Sequence, residues 1–154
     1  MIPPKEIYGT LYYVKMGSDL HTPCLIQCIA EEYLKQDLLE PQIKKIIAIY
    51  KDRWEKMNRA MERYFPKEMQ WVDIDGGMFT WTKLPGDPHQ YDPLKMLETA
   101  MDQYEVAYMP TAGFYIKQED GLNTIRLNFT SAPYDRMEEG IQKLSQFLQT
   151  NIKG

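Results

Sequence analysis

From Pro41 to about Phe65 the chain carries one unbroken apolar stripe, and no other feature of its 154 residues restricts the fold as tightly. Ile43, Ile46, Ile47, Tyr50, Trp54, Met57, Met61 and Tyr64 follow one another in steps of three and four, the spacing of one face of an α-helix. Pro41 suits a first helical turn, and Pro66 stops the helix by pushing the residue before it out of the helical region. A helix of about seven turns with a single apolar face has to lie against another layer. Its aromatic and methionine residues therefore read as core rather than as a cofactor box.

The second layer is announced by short alternating runs. Gln70 to Ile74 and Met78 to Leu84 flank a turn at Asp75, Gly76 and Gly77, which predicts a hairpin with Phe79 and Trp81 on one face of its second strand. Val106 to Met109 is a further short strand-like run. From Asn123 to Ser131, Ile125, Leu127 and Phe129 alternate with Arg126 and Asn128, so the two sets project to opposite faces of a sheet.

Helices occupy the remaining periodic segments. Pro3 and Pro4 open a segment with Ile7, Leu11 and Val14 at helical spacing. Thr22 before Pro23 reads as a cap followed by proline at the first helical position, with Leu25, Ile26, Ile29, Ala30, Tyr33 and Leu34 as the stripe. Asp92 and Pro93 repeat that signal ahead of Leu94, Leu97, Ala100 and Met101. Ser131 or a neighbour caps a last helix in which Met137, Ile141, Leu144 and Leu148 are buried. Pro85 to Tyr91 and Ile116 to Leu122 read as loops, with His89 a solvated turn residue. The expected fold is α+β, a two-layer α/β sandwich: a small antiparallel or mixed sheet with helices on one face and the other face open.

Charge and composition exclude several functions. Eighteen basic against 22 acidic residues give a net charge of −4, interspersed along the chain, which disfavours nucleic acid and anionic membrane surfaces as partners. No apolar run approaches a membrane span and no signal peptide opens the chain, so the expected location is cytoplasmic. Cys24 and Cys28, spaced by four without further Cys or His ligands, make a poor metal site and are expected as two buried free thiols. Asp19, His21 and Thr22 lie together before a helix but have no nucleophile motif, and Gly76 with Gly77 has neither phosphate-loop nor dinucleotide spacing. One soluble domain, residues 1–154, accounts for the length.

Arg126 is the candidate site residue. It is a charged fork on the polar face of an otherwise apolar strand, and a guanidinium matches a carboxylate bidentately. An amino or keto acid is the ligand class that such a fork would receive. The plainer reading is an Arg lying on the sheet and covering apolar surface with its stem.

Four ordered segments carry a family resemblance: Lys15 to Pro23 (KMGSDLHTP), Asp75 to Trp81 (DGGMFTW), Val106 to Tyr115 (VAYMPTAGFY) and Asn123 to Thr130 (NTIRLNFT). From about Ile2 to Phe147 the chain resembles the C-terminal, small domain of class I and II aminotransferases, in the branch of the 2-aminoadipate, kynurenine and multisubstrate enzymes. The resemblance implies a fold type I, pyridoxal-phosphate-dependent (PLP-dependent) transferase acting as a homodimer, in which the Arg at the position of Arg126 grips the substrate α-carboxylate. It also implies a shaped loop near the substrate entrance at Pro110 to Tyr115.

The family's Schiff-base lysine motif, and the Asp and Tyr that hold the cofactor ring, lie in a large domain upstream of the segment matching Lys15 to Pro23, and that domain is absent from these residues. Lys15 matches a different family lysine, beyond the Schiff-base site, and is expected on the surface. The chain alone is therefore expected to bind no PLP, to have no catalytic residue of its own and to be inactive without the large domain. The alternative is a non-catalytic module that binds an amino or keto acid or pairs with an aminotransferase subunit.

Overall fold

The computed structural model describes residues 2–152, and its contacts divide the chain into two compact units, Met1–Lys45 and Ile46–Gly154. The first unit holds α1 (Lys5–Ser18), α2 (Cys24–Lys35) and the opening of α3 (Leu39–Tyr64). Both expected helices form at their expected places. Neither α1 nor α2 buries a residue within the unit: Ile7, Val14, Leu25, Ile26, Ile29 and Leu34 have helical spacing but remain exposed. The cysteine expectation is corrected for the same reason, since Cys24 and Cys28 are free thiols but exposed ones, on a helix that buries nothing here. Thr22 does not cap α2; its carbonyl accepts from Gln27 Nε2 at 2.7 Å, and Pro23 stands at the cap without a side-chain bond.

The second unit contains the sheet and the core. β1 (Gln70–Trp71), β2 (Phe79–Lys83), β3 (Met109–Pro110) and β4 (Thr124–Asn128) form a four-stranded antiparallel sheet in the order β1-β2-β4-β3. Register decides which side chains meet. Thr80 lies opposite Leu127 and Thr82 opposite Ile125, and these four are buried; Trp81 lies opposite Arg126 and Phe79 opposite Asn128, and these four face the other way. Against the buried face pack Trp54, Met57 and Met61 of α3, Ala100 of α4 (Pro93–Tyr104), and Met137, Ile141, Leu144 and Leu148 of α5 (Met137–Asn151). This is the expected α+β arrangement, with helices on one face of a small sheet.

Local chemistry explains where the boundaries fall. Asp92 caps α4 by accepting from the Lys95 N–H, with Pro93 in the first turn, as its sequence predicts. The hairpin between β1 and β2 turns through Gly77 at φ +94°, a left-handed conformation that favours glycine. β1 is shorter than the expected Gln70 to Ile74, but the Val72 N–H still donates to Trp81 O at 3.1 Å. The third strand sits at Met109–Pro110 rather than Val106 to Met109, because Glu105 at φ 56° and the Val106 N–H bond to Ala100 O first close the helix. Ser131 does not cap α5, which begins at Met137; the Ser131 N–H is taken instead by Asn128 Oδ1 in a turn of its own.

Candidate functional site

Arg126 occupies the middle of β4, between Trp81 of β2 and Met109 of β3, on the face opposite the core. Its guanidinium carbon lies 4.0 Å from the Phe79 ring centre and 5.0 Å from that of Phe114, both within cation–π range. Among the described residues its side chain makes no ion pair and donates no hydrogen bond. A half-buried guanidinium with aromatic neighbours and no acidic partner retains its capacity to receive an external carboxylate.

The loop between β3 and β4 builds the wall beside this Arg. Thr111 Oγ1 lies 2.8 Å from Thr124 O and beside Thr124 Oγ1, which lies 3.1 Å from Gly121 O; the two hydroxyl protons serve two of these three contacts at a time. Two single-turn 3-10 segments, Ala112–Phe114 and Gln118–Gly121, are thereby tied to the start of β4. Phe114 and Tyr115 stand edge-on to Trp81, with ring centres 6.1 and 5.6 Å away. The expected shaped loop at Pro110 to Tyr115 thus lies beside Arg126.

The downstream end of β4 is held from the other side. Asn128 Oδ1 accepts from the N–H groups of Thr130 and Ser131 and from the Thr130 hydroxyl, which occupies it in turn formation and leaves only its amide nitrogen for other use. Arg53 of α3 donates through Nε to Phe129 O at 2.7 Å and through Nη2 to Ala132 O. Lys56 donates to Tyr134 O at 2.6 Å while its ammonium lies 4.0 Å from the centre of that ring. Sequence reasoning missed this clamp, because Arg53 and Lys56 sit on the polar side of the α3 stripe and look like solvated charges.

Other sequence candidates stay apart from this site or outside its unit. Gly76 and Gly77 lie in the hairpin turn, next to which Met78 O accepts from the Phe129 N–H at 3.4 Å. A cleft of about 730 Å³ opens between α3 and the hairpin, walled by Ile47, Tyr50, Trp54, Ile74, Met78 and Phe129, and Arg126 does not line it. In the first unit, His21 Nδ1 lies 2.9 Å from Thr22 O and both are exposed. Lys15 is on the surface as expected, paired with Asp19 at 2.8 Å. His89 is exposed in a 3-10 turn capped by Asp87. No cluster of three or more His, Cys, Asp or Glu among the described residues suits a metal, and no described helix is long and apolar enough to cross a membrane.

No described lysine is buried. An amine that condenses with an aldehyde has to be unprotonated, which desolvation promotes and a neighbouring carboxylate opposes. The Glu105 and Glu139 carboxylates hold the Lys143 ammonium above its ordinary range. None of the described lysines offers a desolvated amine to such an aldehyde.

Comparison with known proteins gives a consistent result. No protein-family model matches the chain. It is 38% identical over 152 residues to an uncharacterised aminotransferase of Saccharolobus solfataricus, covering 99% of this chain and 37% of that protein. It is 37% identical over 143 residues to aromatic-amino-acid aminotransferase 1 of Thermococcus litoralis, covering 93% and 33%. Among solved structures it resembles a Pyrococcus horikoshii kynurenine aminotransferase in complex with PMP, at a TM-score of 0.85 and 35% identity, over 97% of this chain and 36% of that one. It also resembles the α-aminoadipate aminotransferase LysN of Thermus thermophilus, at a TM-score of 0.81 and 28% identity, over 97% and 37%. The chain spans about a third of the length of the relatives it matches, in their C-terminal part.

Proposed function

We propose that this chain, which belongs with the C-terminal part of the PLP-dependent aminotransferases, supplies the carboxylate grip of such an enzyme through Arg126. The observation that carries this reading is a guanidinium within cation–π range of both Phe79 and Phe114, on the sheet face opposite the core, with no acidic partner among the described residues. In the assembled enzyme PLP supplies the electron sink for amino-group transfer. The residues here bind and orient. A bidentate contact sets the position and tilt of an amino or 2-oxo acid, and the Phe114 and Trp81 rings withhold water from one side of that contact. A large cofactor-binding domain, supplied upstream or by a partner subunit, completes the site, and a cytoplasmic homodimer is the assembly this reading favours. Without that domain the chain transfers no amino group.

The test is Arg126→Ala in the full-length, cofactor-loaded enzyme, with L-phenylalanine and its decarboxylated analogue 2-phenylethylamine as probes. Loss of two charge-assisted hydrogen bonds should cost about 3 kcal/mol, or roughly a hundredfold in kcat/KM for the amino acid. The slow reaction of the amine, which offers no carboxylate, should stay unchanged. Equal kcat/KM for L-phenylalanine in the variant and the parent would refute the assignment. Saturable binding of 3-phenylpropanoate to the 154-residue chain alone, lost in Arg126→Ala, would favour the binding-module alternative.

A further inference from the structure

We infer that Gly121 is a positioning residue for Arg126, acting through the aromatic wall of the β3–β4 loop; this rests on the reading of Arg126 as the carboxylate grip. A Cβ on Gly121 would fall 2.4 Å from Tyr115 Cδ2, 2.8 Å from Tyr115 Cε2 and 2.9 Å from Ala112 Cα. The last of these is a backbone atom, so rotating one side chain cannot relieve the contact. The two 3-10 turns approach each other this closely only because residue 121 has no side chain.

That approach is transmitted to the site by contacts already described. Tyr115, held against Gly121, stands edge-on to Trp81, and Phe114, its chain neighbour, stands edge-on to Trp81 and within cation–π range of Arg126. Trp81 is the direct cross-strand neighbour of Arg126. Any residue larger than glycine at 121 moves the Ala112–Phe114 turn as a body, and Phe114 moves with it. Arg126 then keeps its charge and its strand but loses one of the two rings that hold its fork. Gly121 itself is buried and has a φ outside the left-handed range, so its requirement for glycine comes from close approach and not from backbone conformation.

The experiment uses the full-length, cofactor-loaded enzyme with the same two probes, and compares Gly121→Ala, Phe114→Leu, Arg126→Ala and the double variant Gly121→Ala with Arg126→Ala. Gly121→Ala should raise KM for L-phenylalanine about tenfold with kcat within about twofold, since sub-ångström to ångström misplacement of a positioning group costs up to about a hundredfold. The rate with 2-phenylethylamine should be unchanged, and the double variant should be no worse than Arg126→Ala alone, because both act on one contact. Phe114 is 57% exposed, so Phe114→Leu tests the same link without disturbing the core. It should reproduce the carboxylate-specific KM effect, and it decides the matter if Gly121→Ala fails to fold. Additive effects, equal losses with both probes, or an unchanged KM in Phe114→Leu would overturn the inference. If Arg126→Ala itself shows no carboxylate-specific loss, the reading of Arg126 fails first, and that result is distinct.

Discussion

Thr80 and Thr82 provide a paired test of the sheet, because they share strand, face and burial and differ in the bonding of the hydroxyl. Both lie on β2, both face the core and both are 0% exposed. Thr80 Oγ1 donates to Val72 O at 2.8 Å, whereas Thr82 Oγ1 has no partner among the described residues. Valine keeps the branched shape and replaces the hydroxyl by a methyl group. At Thr82 this removes a buried, unpaired polar atom, whose penalty is about 1–3 kcal/mol, so Thr82→Val should stabilise the fold by about 1 kcal/mol after partial relief by hydroxyl rotation. At Thr80 the same change removes a hydrogen bond to Val72 O worth about 1 kcal/mol net. The methyl contribution is common to both sites, so the two variants should differ by about 2 kcal/mol, a measure of the hydroxyl environments alone. Urea unfolding of the 154-residue chain, followed by tryptophan fluorescence and compared at equal slopes, measures that difference. Midpoints that shift together, or a Thr82→Val variant less stable than the parent, would refute the argument.

Two further expectations concern the clamps around the site. Arg53→Met keeps an apolar stem but removes the donors to Phe129 O and Ala132 O; two charge-assisted bonds at a half-buried position should cost about 2 kcal/mol, read as a lower urea midpoint with faster amide exchange at Thr130 to Ala132. Lys143 bonds Glu105 at 2.7 Å and Glu139 at 3.1 Å, which raises its own pKa from 10.5 and lowers both carboxylates from 4.5. The carboxylates' stabilising effect is present above pH 4.5 and fades as pH falls through their depressed values; the ammonium's is present below pH 10.5 and fades as pH rises through its raised one. Melting temperatures of Lys143→Met and the parent should therefore differ most near neutrality and converge at both extremes, and the gap should shrink with added salt.

The sequence disclosed most of what periodicity controls. The α3 helix with its buried Trp54, Met57 and Met61, the Asp92 and Pro93 start of α4 and the buried set Met137, Ile141, Leu144 and Leu148 all stand where spacing put them, whereas Ile43 and Ile47 of the same α3 stripe are exposed. Alternation placed Arg126 opposite the core side of β4 without error, since a one-residue slip would have buried it in place of Ile125. Contacts between residues far apart in sequence were not legible. Arg53 reaches carbonyls more than seventy residues away, and nothing local marks it as different from Arg59. Phe114 and Gly121 sit in a stretch with no period, so their packing depends on loop closure that only coordinates reveal. The thiols failed for a simpler reason: helical spacing states which residues share a face, but not whether anything within reach covers it.

The face opposite the core also accounts for the choice of arginine. Phe79, Trp81 and Tyr115 are half-buried and Phe114 is exposed, and these large rings pack on one another and on the guanidinium. Immobilising a long side chain on binding costs about 0.5–1.5 kcal/mol, and one cation–π contact at a partly exposed site returns about 0.5–1 kcal/mol. Two such contacts, made before any ligand arrives, largely offset the ordering cost that a carboxylate would otherwise impose. The rings order a cation of either type, but only a guanidinium then presents a planar fork matched to two carboxylate oxygens. Arg126→Lys keeps the charge and contact with the rings while losing the fork, so its kcat/KM for L-phenylalanine should fall closer to that of Arg126→Ala than to that of the parent. A lysine variant with parental kcat/KM would mean that charge alone, and not bidentate geometry, determines the grip.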